Sequence, residues 1–228
     1  PKDSTELFYN MTALTTVDTT NMDVSRTVNM KAMFMWCEAL TSLDVSKWNV
    51  SNVEAMNMTF TYCSSLKELN VSGWNVGKVT TMSSMFYDCF SLESLNVTNW
   101  NVENVTIMQM LFYNCQKLKN INLSNWQVGN VTLMNYMFYG CKALKTHCSL
   151  PATTLATGCY QYMFYDCDVL ETIAALPALK PVTSCYNSMY SNSVGIKVSE
   201  TQTGDYQNAW RIPTSGTGTA TSVFSSSM

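Results

Sequence analysis

FYDCFSLESLNVTNWNVENVTIMQML, residues 86–111, decides how the chain is read, because it recurs in phase along most of the 228 residues. Phe8, Phe34, Phe60, Phe86, Phe112, Phe138 and Phe164 stand 26 residues apart. Cys37, Cys63, Cys89, Cys115, Cys141 and Cys167 each follow their Phe by three residues, and only Met11 breaks that column. Leu14, Leu40, Leu66, Leu92, Leu118, Leu144 and Leu170 follow six after the Phe without exception. Seven units of 26 residues fill 8–189 with no insertion, and residues 1–7 read as the tail of a preceding unit.

Within a unit, with Phe as position 1, apolar residues at positions 10 and 12 alternate with polar ones at 9 and 11. Leu95 and Val97 between Ser94 and Asn96 are one instance. A period of two over so few residues predicts a short half-buried strand. Further on, Val53, Met56 and Thr59, or Val131, Met134 and Met137, approach the next Phe at steps of three. With Asn52, Asn104 or Asn130 ahead as a cap, this predicts one or two helical turns. Each unit is then a strand, a turn around Trp48, Trp74, Trp100 or Trp126, and a short helix. The fold class predicted is an α/β solenoid of seven repeats, each with one short parallel strand and a short helix. One unit cannot bury its own apolar face, so the units must stack. Stacking at about 4.8 Å turns each column into a ladder, with Phe, Leu, Met and Trp as core. The methionines Met30, Met56, Met82, Met108 and Met134 read as packing rather than as a ligand set.

Composition narrows the function. The chain is 46% hydrophobic and 13% charged with a net charge of −3, which describes a folded protein. Its Lys and Arg are scattered, so no basic stripe is present to neutralise phosphates and no nucleic-acid partner is expected. No apolar run approaches the roughly 18 residues of a membrane span, and no signal peptide is visible. The start at Pro1 and the repeat phase of both ends lead to the expectation of a fragment of a longer array, or of ends covered by a partner. Residues 190–228, with Ile196, Val198, Tyr206, Trp210 and Ile212 and a Thr/Ser/Gly-rich run, read as a degenerate repeat or an edge-covering segment.

The segments F-Y-x-C-x-x-L, L-x-V-x-x-W-x-V and V-x-x-M-x-x-M-F, repeated in phase over residues 8–189, resemble the BspA-like leucine-rich repeats, the 26-residue Mycoplasma-lipoprotein-type surface repeat. Two later units differ. LPATTLATGCYQYM (150–163) and LPALKPVTSCYNSM (176–189) carry Pro151 and Pro177 and resemble Pro-type variants in gut Bacteroidales surface and phage proteins. The resemblance implies a leucine-rich-repeat solenoid that is extracellular, on a cell or virion surface, and acts by adhesion.

Candidate chemistry is sparse. The six ladder cysteines read as buried thiols, although neighbours at this spacing would permit a bridge. Cys159 and Cys185 form a second, two-rung column and are the candidate disulfide. Cys141, His147, Cys148 and Cys159 lack the paired spacing of zinc folds, so no metal is assigned. His147 and Cys148 contain the minimum for thiol catalysis, but adjacent strand residues point to opposite faces, and the histidine reads as structural. Asp18 and Asp44 share position 11 with Asn70, Asn96 and Asn122, a polar outer ladder whose acids could bind Ca²⁺ or act as acid and base. Stacked Asx residues more often satisfy one another. No nucleotide, hydrolase or metalloprotease motif occurs, so no enzyme activity and no cofactor are expected. Eight N-x-S/T sequons recur mostly in phase and follow from turn chemistry.

The most suggestive surface is aromatic. Tyr9, Tyr87, Tyr113, Tyr139 and Tyr165 follow the Phe column, with Trp36 and Tyr62 one place later. Tyrosine gives large, rigid contact area at low entropic cost, and the same rings can also simply stack on each other. The expected function is a non-enzymatic recognition module binding a host or bacterial surface protein or glycan. Its contacts would be this aromatic file, position 9 (Thr16, Ser42, Glu68, Ser94, Asn120) and position 11. The alternative is a structural segment of a surface filament or phage tail, associating with itself end to end or laterally.

Overall fold

The computed structural model describes residues 1–145, 158–170 and 187–193. Successive 26-residue units lie one on another, and the backbone is held by parallel pairing between equivalent residues. Strands β1 (Ser42–Leu43), β2 (Glu68–Leu69) and β3 (Ser94–Leu95) form a parallel sheet in that order. Ser42 pairs with Glu68 and Glu68 with Ser94, and a bridge from Ser94 to Asn120 carries the ladder one coil further. A second file of parallel bridges joins Asp3, Asn29, Ala55, Thr81, Ile107 and Leu133. Every pair is 26 residues apart, so the sequence period is the stacking period. Along each strand the first residue is exposed and the second buried, as the period-two pattern requires.

The helix expected before each Phe is absent: no helix occurs among the described residues. The segment is instead a run of tight turns shared between coils. In the unit around Phe34, the amides of Met33, Met35 and Cys37 donate to Met30, Ala32 and Phe34, three residues back. Those of Met30, Ala32, Phe34 and Trp36 donate to Ala55, Asn57, Thr59 and Thr61 of the next coil. Alternate amides therefore serve the turn and the neighbour, whereas an α-helix would spend them all on its own chain. Left-handed residues enforce this, with Ala32 at φ 52° and Trp36 at φ 66°, repeated at Ser84 and Asp88 and at Met110 and Asn114. Two residues of positive φ, four apart in the same segment of each of these units, break any helix there. Asn52, Asn104 and Asn130 are likewise not helix caps, since their side-chain amides donate to the carbonyls of Ser25, Gly77 and Glu103 in the preceding coil.

The core is a set of columns. Phe34, Phe60, Phe86, Phe112, Phe138 and Phe164 are fully buried, each ring stacked on the next at 5.3 to 5.6 Å. Trp48, Trp74, Trp100 and Trp126 form a parallel file at 6.2 to 6.4 Å. The indole N–H of Trp74, Trp100 and Trp126 donates to Val45, Val71 and Val97 of the coil before. Burial of such rings, at about 25 cal/mol per Å² of apolar surface, is the main stabilising term. Each ladder thiol has a place in this order. Cys37, Cys63, Cys89, Cys115, Cys141 and Cys167 donate through Sγ to the Phe carbonyl of the preceding unit at 3.1 to 3.2 Å. They are free cysteines, and burial pushes the thiols of Cys63, Cys89 and Cys115 well up, so they stay protonated. Past residue 189 the columns continue: Tyr190 stacks on Phe164 at 5.4 Å, and Ser193 Oγ takes the thiol's place by donating to the Phe164 carbonyl at 2.7 Å.

His147, Cys148, Cys185, Pro151, Pro177 and the segment 194–228 lie outside the described residues. Cys159 is buried, but its candidate partner Cys185 is among those. No helix among the described residues is long and apolar enough to cross a membrane.

Candidate functional site

Two surfaces gather the residues singled out from the sequence. The first is the outer face of the strands. A shallow groove of about 550 Å³ runs across β1, β2 and β3, lined by Ser42, Glu68 and Ser94 and, two residues on, by Asp44, Asn70 and Asn96. Parallel pairing holds these side chains in rows one coil apart. Position 11 is committed to local structure. Oδ1 of Asp18, Asp44, Asn70, Asn96 and Asn122 accepts the amide of Thr20, Ser46, Ser72, Thr98 and Ser124, two residues on. These are Asx turns that reverse the chain after the strand. The hydrogen bonds from Thr20 and Ser46 hold the carboxyls of Asp18 and Asp44 below the usual carboxylate range, so both are charged at neutral pH. Among the described residues no group of three or more His, Cys, Asp or Glu is placed to hold a metal. Position 9 carries no such duty, and its side chains are exposed at Ser42, Glu68, Ser94 and Asn120.

The second surface is the aromatic file, which the structure brings together continuously. Trp36 stacks on Tyr62 at 3.8 Å, Tyr62 meets Tyr87 edge-on at 5.5 Å, and Tyr87, Tyr113, Tyr139 and Tyr165 stack at 4.6 to 4.9 Å within 6° of parallel. The edge-on step falls where the file passes from position 3 to position 2. All six rings are half-buried, whereas Tyr9 is exposed on the first coil. Tyr136 and Tyr162 make a second, shorter file at 5.0 Å beside Tyr139 and Tyr165. Sequence reading passed over this pair, whose signal was two tyrosines at the same place two residues before the Phe. Because the rings cover each other's faces, the file offers edges and phenol groups rather than an open platform. Burial and the neighbouring Asp88 raise the Tyr87 hydroxyl to about 12, and burial also raises Tyr113 and Tyr139, so these three hydroxyls are neutral and hydrogen-bonding.

The model of a family described as Mycoplasma protein of unknown function, DUF285, matches residues 2–96 and again 90–199. The chain belongs to this family. Its repeated match follows from the period, since stacked units give one model two places to align on a single chain. None of the curated proteins matches. Among solved structures, a leucine-rich repeat protein from Bacteroides ovatus ATCC 8483 is similar at 21% identity over 74% of this chain, with a TM-score of 0.44. The match covers 45% of that protein, so this DUF285 chain spans less than half its length.

Proposed function

We propose that the chain is a non-enzymatic recognition module, displayed on a cell or virion surface, that binds a protein or glycan through the outer strand face. The observation that carries this reading is position 9. Its residues Ser42, Glu68, Ser94 and Asn120 line up in fixed register and are exposed, and their identity changes from each coil to the next while the buried Leu40, Leu66, Leu92 and Leu118 and the Leu43, Leu69, Leu95 and Ile121 beside them stay apolar. A scaffold that fixes the backbone and leaves its exposed rows free to vary is a surface on which specificity can be written. In this reading the stack is a leucine-rich-repeat solenoid of seven units through residue 189, followed by a degenerate segment over 190–228. The aromatic file contributes the Trp36 indole edge and the phenol groups of Tyr62, Tyr87, Tyr113, Tyr139 and Tyr165.

A second reading, a structural segment of a larger filament or phage assembly, has its own support. The parallel pairing that joins one coil to the next repeats along the described units, so the same kind of contact can join one copy to another. Binding of labelled protein to bacterial cells, surface polysaccharides and host matrix proteins separates the two. Saturable binding that Ser42→Gln/Ser94→Gln weakens tenfold or more supports recognition, with Tyr113→Ala/Tyr139→Ala reporting the aromatic edge. Concentration-dependent self-association without surface binding contradicts it.

A further inference from the structure

The Trp file ends at Trp48, and what lies beyond it differs from every other rung. In the first coil Met22 stands at the Trp position and Thr19 at the place of Val45, Val71 and Val97. Trp48 is 5% exposed, and its Nε1–H is buried without a hydrogen-bond partner. The equivalent N–H groups of Trp74, Trp100 and Trp126 reach the carbonyl one coil back. For Trp48 that direction leads to Thr19. Thr19 and Trp48 both line a cavity of about 190 Å³ whose wall also holds Asp18, Asp44, Lys47 and Met22. An unpaired buried donor is costly, and the residue that carries it borders an open space where the regular unit has a second indole.

We propose that this cavity is a binding site for one neutral, pyranose-sized sugar residue. The inference rests on the recognition reading and names a ligand class for it. Size sets the first limit: about 150 Å³ admits benzene and pockets for drug-sized ligands begin near 300 Å³, so this space holds one ring. Chemistry sets the second. The wall offers acceptors in the Asp18 and Asp44 carboxylates and a donor in Lys47, beside the apolar surface of Met22 and the Trp48 indole, whose N–H lies beneath that surface. An aromatic cation would meet the carboxylates but stand against the Lys47 ammonium. An anion would face two carboxylates. Sugar hydroxyls donate and accept at once, and the ring's C–H surface packs on Trp48 and Met22. Each carboxylate uses Oδ1 in its Asx turn, and with about four lone-pair sites it can accept more. Two acids against one lysine disfavour acidic sugars.

The test is titration of ¹⁵N-labelled protein with methyl α-mannopyranoside, methyl β-galactopyranoside, N-acetylglucosamine and glucuronic acid, following the Trp48 indole N–H assigned with Trp48→Phe. At least one neutral sugar is expected to shift that resonance saturably, with glucuronic acid at least tenfold weaker. Met22→Trp, which completes the file, should abolish the shift while leaving the melting midpoint equal or higher. Asp44→Asn, which keeps the Asx turn as Asn70 does, should weaken binding about tenfold. No saturable shift with any neutral sugar, or full binding in Met22→Trp, overturns the proposal. Surface binding lost in Ser42→Gln/Ser94→Gln but untouched by Met22→Trp also overturns the pocket assignment, and leaves the recognition reading in place.

Discussion

The first coil and the coils beneath it are written in nearly the same residues, yet they are not equally buried. Phe34 and Leu40 are wholly inaccessible, whereas Phe8 and Leu14, at the matching positions one coil earlier, are only partly buried against the core. The residue type is not what differs. An inner coil has a neighbour on each side, while the first coil has residues 1–7 over only part of its length. Burial in this fold is delivered by the next unit, so stability adds up from interfaces rather than residing in any one unit.

The largest test of that contrast is one substitution made at two depths. Phe86→Ala removes a ring stacked on both sides and should cost about 3 to 5 kcal/mol. Phe8→Ala removes one stacked on Phe34 alone and should cost under about 2 kcal/mol. Equal losses in urea unfolding would break the comparison. A smaller effect is expected in the turns. Tyr62 sits at φ 61° between Trp36 and Tyr87, so Tyr62→Asn trades stacking for an easier backbone and should change stability by less than about 1 kcal/mol. Tyr62→Val loses the ring and places a β-branched residue in the left-handed region, and should cost about 2 kcal/mol or more. If the two variants melt together, the left-handed turn is not what shapes this segment.

The smallest effect is electrostatic. Burial raises the Asp88 carboxyl above its ordinary value of 3.8, against a hydrogen bond from Asn114 that lowers it. A folded-state pKa above the unfolded one means stability that is complete below the unfolded pKa and falls as pH rises through the folded one. Asp88→Asn should therefore match the parent in acid and gain on it toward neutral pH. A gain that is constant from pH 3 to pH 7 would contradict the burial of that charge.

Much of this was legible in the sequence because the period is exact. The Phe, Leu, Cys and Trp columns gave the stacking, and polar residues alternating with apolar ones gave the strands. The helix was misread because steps of three residues suit a succession of turns as well as a helix. The distinguishing signal was Asn10, Asp88, Asn114, Gly140, Asp166 and Asn192, residue types that tolerate positive φ, recurring at position 3. Trp36 and Tyr62 occupy that same backbone position and hid it. The candidate Ca²⁺ or acid–base role of Asp18 and Asp44 was drawn from residue type, whereas their Oδ1 atoms are engaged by Thr20 and Ser46 in turns that asparagine makes equally well at Asn70 and Asn96. The cavity beside Trp48 was legible only as one Met in a column of Trp, which on its own reads as a tolerated substitution.

The most direct test of the central claim is saturable binding of the labelled chain to a panel of bacterial cells, isolated surface polysaccharides and host matrix proteins, with Ser42→Gln/Ser94→Gln alongside. The strand-face account predicts binding to at least one member, weakened tenfold or more by that variant with its melting midpoint unchanged. Binding that the variant leaves intact, or none at all with self-association in its place, would contradict it.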